Sequence, residues 1–208
     1  MKRVFWVLLG LAVSAQALTG NPKAGQVLST THCAACHNQD GNSSTPIWPN
    51  IAGQHESYLI QQLIEFKKGA QGNRNQPVMA SIVAQMSEQD FADMAAYFAT
   101  QPPKLGMASP SLVDSGQALY RGGHFETGVS ACSACHGPAG LGNEAAGFPR
   151  LAGQNAAYIV DQLKKFRSGE RHNDPGDMMQ DIAKHMTEAD MDAVASYIQG
   201  LRPAGESE

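Results

Sequence analysis

The 208-residue sequence is poor in most of the features that announce an enzyme or a membrane protein. Charged side chains make up only 16%, and positive charge is never in excess, with 15 Lys and Arg facing 19 Asp and Glu. A net-negative chain with no basic cluster argues against nucleic acid as a partner. After residue 13 no apolar run is long enough to cross a bilayer. No stretch alternates apolar and polar residues with a period of two, which removes strands and leaves helical spacing. No Ser/His/Asp triad, paired-carboxylate site or phosphate-cradling glycine loop is evident. Cysteine is scarce too, at four residues, but those four are not scattered.

The first residues read as an export signal. Lys2 and Arg3 form a basic start, residues 4–13 are apolar, and Ala15-Gln16-Ala17 is a small-x-small cleavage site. Residues 1–17 are therefore expected to be a signal peptide, with the mature chain starting at Leu18 in the periplasm.

The remainder repeats itself. Residues 49–69, PNIAGQHESYLIQQLIEFKKG, match residues 149–169, PRLAGQNAAYIVDQLKKFRSG, at a constant offset of 100. The match continues through Met79/Met179, Ile82/Ile182, Met86/Met186, Asp90/Asp190 and Tyr97/Tyr197. Upstream, Gly25-Gln26 corresponds to Gly116-Gln117, but the second half takes 8 more residues to reach its cysteines. That glycine-rich insertion, around residues 122–130, reads as a surface loop. Residues 101–111, with three prolines, read as a linker between one domain at 18–100 and another at 112–208.

The local signals are helical in both halves, so the fold class expected is all-α, a tandem of two similar domains. Asn21 before Pro22 is a cap with proline at the first helical position. Tyr58, Leu59, Gln62, Leu63 and Phe66 share one helical face that ends at Gly69. Ser87 and Thr187, each followed three residues later by Asp, open a further helix in each half.

Chemistry enters with the cysteines. Cys33-Ala34-Ala35-Cys36-His37 and Cys132-Ser133-Ala134-Cys135-His136 are both C-x-x-C-H, the attachment signature of c-type haem. On one helical turn two cysteines three apart reach the two vinyl groups of one porphyrin, and the adjacent histidine falls beneath the iron. A redox dithiol would want a βαβ context, and a zinc site would want further Cys or His at finger spacing; neither is present. For the sixth ligand, Met86 and Met186 precede helix caps and read as core residues. Met79 and Met179 lie in polar loops with no packing role, which favours them as ligands; the alternative is that they only line the haem crevice. Met178, paired with Val78, reads as packing. His32, His55, His124, His172 and His185 lack a counterpart in the other half and are weaker candidates. Pro49 and Pro149 each place a carbonyl that can accept a hydrogen bond from the haem histidine.

The phrases PNIAGQ/PRLAGQ, SEQDFADMAAYF and LYRGG…CSACHG, with the doubled motif, resemble the cytochrome c4 family over essentially the whole mature chain. The resemblance implies two class I cytochrome c domains, two haem c groups held by Cys33, Cys36, Cys132 and Cys135, and axial pairs His37/Met79 and His136/Met179. It implies an electron carrier and not an enzyme, fed from the quinol–cytochrome c reductase side, delivering to a haem–copper terminal oxidase, and resting at most loosely on the membrane. The other reading of the role is the cytochrome subunit of a periplasmic dehydrogenase. A dihaem peroxidase is disfavoured by the two symmetric methionines.

Overall fold

The computed structural model describes residues 18–203; the expected signal segment, 1–17, lies outside the described residues. Ten α-helices are present among them, in two sets of five. The first set is α1 (Pro22–His32), α2 (Ala34–His37), α3 (Glu56–Lys67), α4 (Pro77–Val83) and α5 (Glu88–Ala99). The second is α6 (Val113–Gly122), α7 (Ser133–His136), α8 (Ala156–Ser168), α9 (Met178–Lys184) and α10 (Glu188–Gln199). No strand forms among the described residues; three isolated bridges are the only β pairings there. The fold is all-α, as the patterning implies.

The helix boundaries follow from local chemistry. The Asn21 side chain accepts from the backbone N–H groups of Lys23 and Ala24, with Pro22 at the first helical position. Ser87 and Thr187 form reciprocal capping boxes with Asp90 and Asp190, each cap contributing on the order of 1 kcal/mol. Helix α8 stops at Gly169, whose φ of 76° a side-chain-bearing residue rarely adopts.

Within each domain the first and last helices cross. They do so closely because a glycine sits at the crossing: a Cβ on Gly25 would lie 1.9 Å from the carbonyl oxygen of Asp93, and one on Gly116 would lie 2.3 Å from that of Ala193. Around these crossings the cores close over Phe91 and Met94 in the first domain and over Met191 and Val194 in the second. Full burial of Phe91 alone contributes roughly 2–3 kcal/mol. Met86 and Met186 are buried in these cores, in the role their place before the caps suggests.

The proline-bearing stretch between α5 and α6 is pinned along its length. Lys104 donates its backbone N–H to Asn42 Oδ1 (2.7 Å), Gly106 to the carbonyl of Gln199 (3.1 Å) and Ser109 to Ser196 Oγ (2.8 Å). The insertion before the second cysteine pair turns back through a His124–Val129 bridge and leaves Phe125 fully exposed at its tip. Met178, 40% exposed, and its counterpart Val78, 61% exposed, stand in the first turn of α9 and α4 beside Met179 and Met79.

Candidate functional site

Each C-x-x-C-H occupies one short helical turn. The backbone N–H of His37 donates to the Cys33 carbonyl and that of His136 to the Cys132 carbonyl, both at 2.9 Å, so two thiols and an imidazole project from a single turn. The chain then loops back in the same way in both domains. Ile51 and Leu151 donate their N–H groups to the carbonyls of Gly41 and Gly140, each at 2.7 Å. This closure carries the Pro49 and Pro149 carbonyls to the imidazoles, where they accept from His37 Nδ1 and His136 Nδ1 at 2.9 Å. With Nδ1 carrying the proton, Nε2 is the lone-pair nitrogen in both rings. Burial holds both imidazoles below the ordinary histidine range, only partly opposed by the proline carbonyl, so they are neutral at pH 7.

A mostly apolar cavity of about 800 Å³ runs through both domains. Cys33, Cys36, His37 and Met79 line it from the first half, and Cys132, Cys135, His136 and Met179 from the second. All eight residues singled out in the sequence thus face one space. Of the five unmatched histidines only His32 borders it, and His32 is exposed. Burial pushes the Cys33 and Cys132 thiols up to about 11. That is the opposite of the depressed pKa a redox dithiol needs. No disulfide forms, and no three His, Cys, Asp or Glu side chains converge as a protein-only metal cage among the described residues.

At the domain junction the same cavity is walled by a polar cage that the sequence analysis did not identify. Arg74 and Arg171 are buried there, 8% and 7% exposed, and their backbones pair in an antiparallel bridge. Each guanidinium lies against a phenylalanine of its own domain, Phe66 at 4.5 Å and Phe166 at 4.3 Å. Each also reaches across. Arg74 donates to Gln62 Oε1 (2.6 Å) at home and to Tyr158 Oη and Gln162 Oε1 (3.2 Å) in the other domain. Arg171 donates to Gln162 Oε1 (2.7 Å) at home and to Tyr58 Oη (3.0 Å) opposite. Burial, then the repulsion of Arg171, holds Arg74 below its ordinary pKa. Burial raises the Tyr58 phenol, but the two guanidinia outweigh it and bring it below the usual value. Neither arginine forms an ion pair with a carboxylate among the described residues. Two buried cations without an anion are costly. The carboxylates of haem propionate side chains would answer that demand, so the cage, thiols, imidazoles and thioethers together fit two haems.

The repeat signal for this cage was obscured by a shift in register. A fixed offset of 100 pairs Arg74 with Asp174, whereas the residue that matches it in space is Arg171. Tyr58/Tyr158 and Gln62/Gln162 do keep the offset, and a tyrosine followed four residues later by glutamine in both copies was the available clue.

A second set of reciprocal contacts uses the Gln of PNIAGQ and PRLAGQ. Gln54 accepts from the Arg150 backbone N–H (2.9 Å) and donates to the Arg150 carbonyl (3.0 Å). Gln154 accepts from the Asn50 N–H (2.8 Å) and donates to the Asn50 carbonyl (2.8 Å).

Known proteins share this arrangement. The Cytochrome c family matches residues 22–102 and 113–202. Cytochrome c4 of Pseudomonas aeruginosa is 47% identical over 195 residues, covering 93% of this chain and 94% of that protein. The crystal structure of reduced recombinant cytochrome c4 from Pseudomonas stutzeri superimposes with a TM-score of 0.85 at 42% identity, covering 88% of this chain and all of that one. A protein of Stutzerimonas stutzeri named thiosulfate dehydrogenase electron acceptor is 35% identical, with 97% of each chain covered. Two C-x-x-C-H turns in two matched domains make two haem c groups the cofactors. The chain belongs to the cytochrome c family and, within it, to the dihaem electron carriers of the cytochrome c4 group.

Proposed function

We propose that this chain is a periplasmic one-electron carrier late in a respiratory chain, with a closed iron in each domain. Cys33 and Cys36 would hold the first haem, with His37 and Met79 to ligate its iron; Cys132 and Cys135 would hold the second, with His136 and Met179. The observation that carries the reading is that each domain turns two cysteines, one carbonyl-held histidine and one methionine towards a single cavity, the methionine standing in the first turn of a short helix, α4 or α9, and not in the loop its polar flanks suggest. Bound there, each haem supplies a one-electron iron couple whose potential histidine–methionine ligation keeps high. The chain does the rest. The Pro49 and Pro149 carbonyls fix the imidazole tautomer and strengthen it as a donor. With haem bound, Met79 and Met179 would close the position a substrate needs, Arg74 and Arg171 would neutralise propionates, and the mostly apolar walls would keep water away from the irons.

The acceptor proposed is a haem–copper terminal oxidase, with the quinol–cytochrome c reductase side as donor and no more than loose association with the membrane. No helix among the described residues is long and apolar enough to cross one. The relative named for accepting electrons from thiosulfate dehydrogenase favours a second reading, in which the donor is a periplasmic dehydrogenase. The deciding measurement is the visible spectrum of the reduced protein before and after carbon monoxide, scaled to haem content. Two haems per chain that ignore the gas support closed irons and a carrier. Ready binding at one haem overturns the assignment of that methionine. Reduced protein reoxidised by oxidase-bearing membranes supports the proposed acceptor; stable co-purification with a flavin, quinone or molybdenum subunit supports the dehydrogenase reading instead.

A further inference from the structure

The arginine cage has a property beyond holding charge in place: neither guanidinium belongs to one domain alone. Arg74 is fixed at home by Phe66 and Gln62, yet two of its hydrogen bonds end on Tyr158 and Gln162 of the second domain. Arg171 mirrors it, ending on Tyr58 of the first. Both line the one cavity that joins His37 to His136. A buried charge is screened far less than a surface one, so a cation lodged between the domains acts on whatever occupies either end of that cavity. A positive charge favours the reduced, less positive iron.

We propose that Arg74 and Arg171 are shared redox-positioning residues, each raising the potentials of both haems and not only of the haem in its own domain. This rests on the reading that a haem is held in each half. It makes the polar junction the element that keeps the two couples in step: whatever displaces one guanidinium changes both centres together. Lys104 supplies the contrast. It also lies near the junction, but it is exposed and paired with Asp40, so its charge is screened.

The test is an optically monitored redox titration of the full holoprotein and its Arg74→Gln, Arg74→Lys and Lys104→Gln variants. Each wave is assigned to a haem by adding Met179→His, which displaces only the second. Pyridine haemochrome counting accompanies every sample, since fewer than two haems per chain reports failure of the haem-holding reading and not of the shared tuning. With two haems retained, Arg74→Gln is expected to lower both midpoints by comparable amounts, Arg74→Lys to leave them near those of the parent, and Lys104→Gln to move neither appreciably. A fall confined to the first-domain haem, or no fall, overturns the proposal. So does an Arg74→Lys variant that falls as far as Arg74→Gln, because that would assign the effect to packing. Should Arg74→Gln lose a haem, Tyr158→Phe removes one of the two second-domain acceptors of Arg74 and leaves Gln162 in place. A fall of both midpoints in that variant supports the proposal, and a fall of only one of them, or of neither, overturns it.

Discussion

The two domains carry the same candidate ligand set on different electrostatic backgrounds. Residues 69–86, which bear Met79, contain one charged side chain, the buried Arg74. Residues 169–186, which bear Met179, contain Glu170, Asp174, Asp177 and Asp181 against Arg171 and Lys184. One of those carboxylates touches the methionine's own backbone. Asp174 Oδ2 accepts from the N–H groups of Met179 (2.7 Å) and Gln180 (3.2 Å), whereas Gln76, at the corresponding start of α4, makes no side-chain cap. The lesson is that duplication preserved the chemistry at the iron while leaving its surroundings free to diverge. A local rim of this kind is expected to set the two potentials apart, while the proposed sharing of the arginines would move them together.

Exchange of an axial ligand breaks this comparison most severely. Met79→His is expected to lower the first-domain midpoint by a few tenths of a volt, inside the roughly 0.8 V that axial ligands span, with little change at the second. Met179→His should do the reverse, and a redox titration that shows both waves unmoved would reassign the sixth ligand. Next come the helix crossings. Gly25→Val drives a side chain into the Asp93 carbonyl and should cost about 1–3 kcal/mol. Gly116→Val should cost less, since its crossing is 0.4 Å looser (1.9 against 2.3 Å), and thermal melting of the two variants checks the order.

Smaller still, Ser87→Ala and Thr187→Ala should each lose about 1 kcal/mol in denaturant titrations. In the first domain the Ser87 N–H and hydroxyl hold the Asp90 carboxyl below its ordinary range. A carboxyl lowered on folding contributes stability above its unfolded pKa and loses it as pH falls through the folded one. The Ser87 cap should therefore weaken from about pH 5 downward, and Asp90→Asn should flatten that slope. The smallest effect sharpens the comparison: Asp174→Asn keeps a good cap but removes the charge. It should raise the second midpoint alone, by less than about 1 kcal/mol, or some 40 mV.

Much of this was legible in the sequence because the information was local. Caps at Asn21, Ser87 and Thr187, the C-x-x-C-H turns and the proline carbonyls each depend on residues within about 14 positions of one another. The duplication then let every local reading be checked against a second copy. What escaped depends on the two copies meeting. Arg74 and Arg171 sit where the repeat slips out of register, and nothing in one half shows that its tyrosine will receive an arginine from the other. Gln54 and Gln154 were visible as matched positions without a role, because their partners lie 96 and 104 residues away. Met79 and Met179 read as loop residues for a different reason: the polar Gly/Asn/Pro stretches just before them hide the short helices on which they stand.

The glutamine clasp has the symmetry of a dimer inside a single chain. Residue 54 holds position 150 as residue 154 holds position 50, which is the isologous pattern two identical subunits make about a two-fold axis. The geometry of such a contact does not depend on the halves being joined, but joining them makes it intramolecular and raises the effective concentration at which it forms. The clasp also grips main chain on the far side, at Arg150 in one direction and Asn50 in the other. The residue type at those two positions differs, Asn50 against Arg150, and the clasp is unaffected, while the glutamines are the same in both halves.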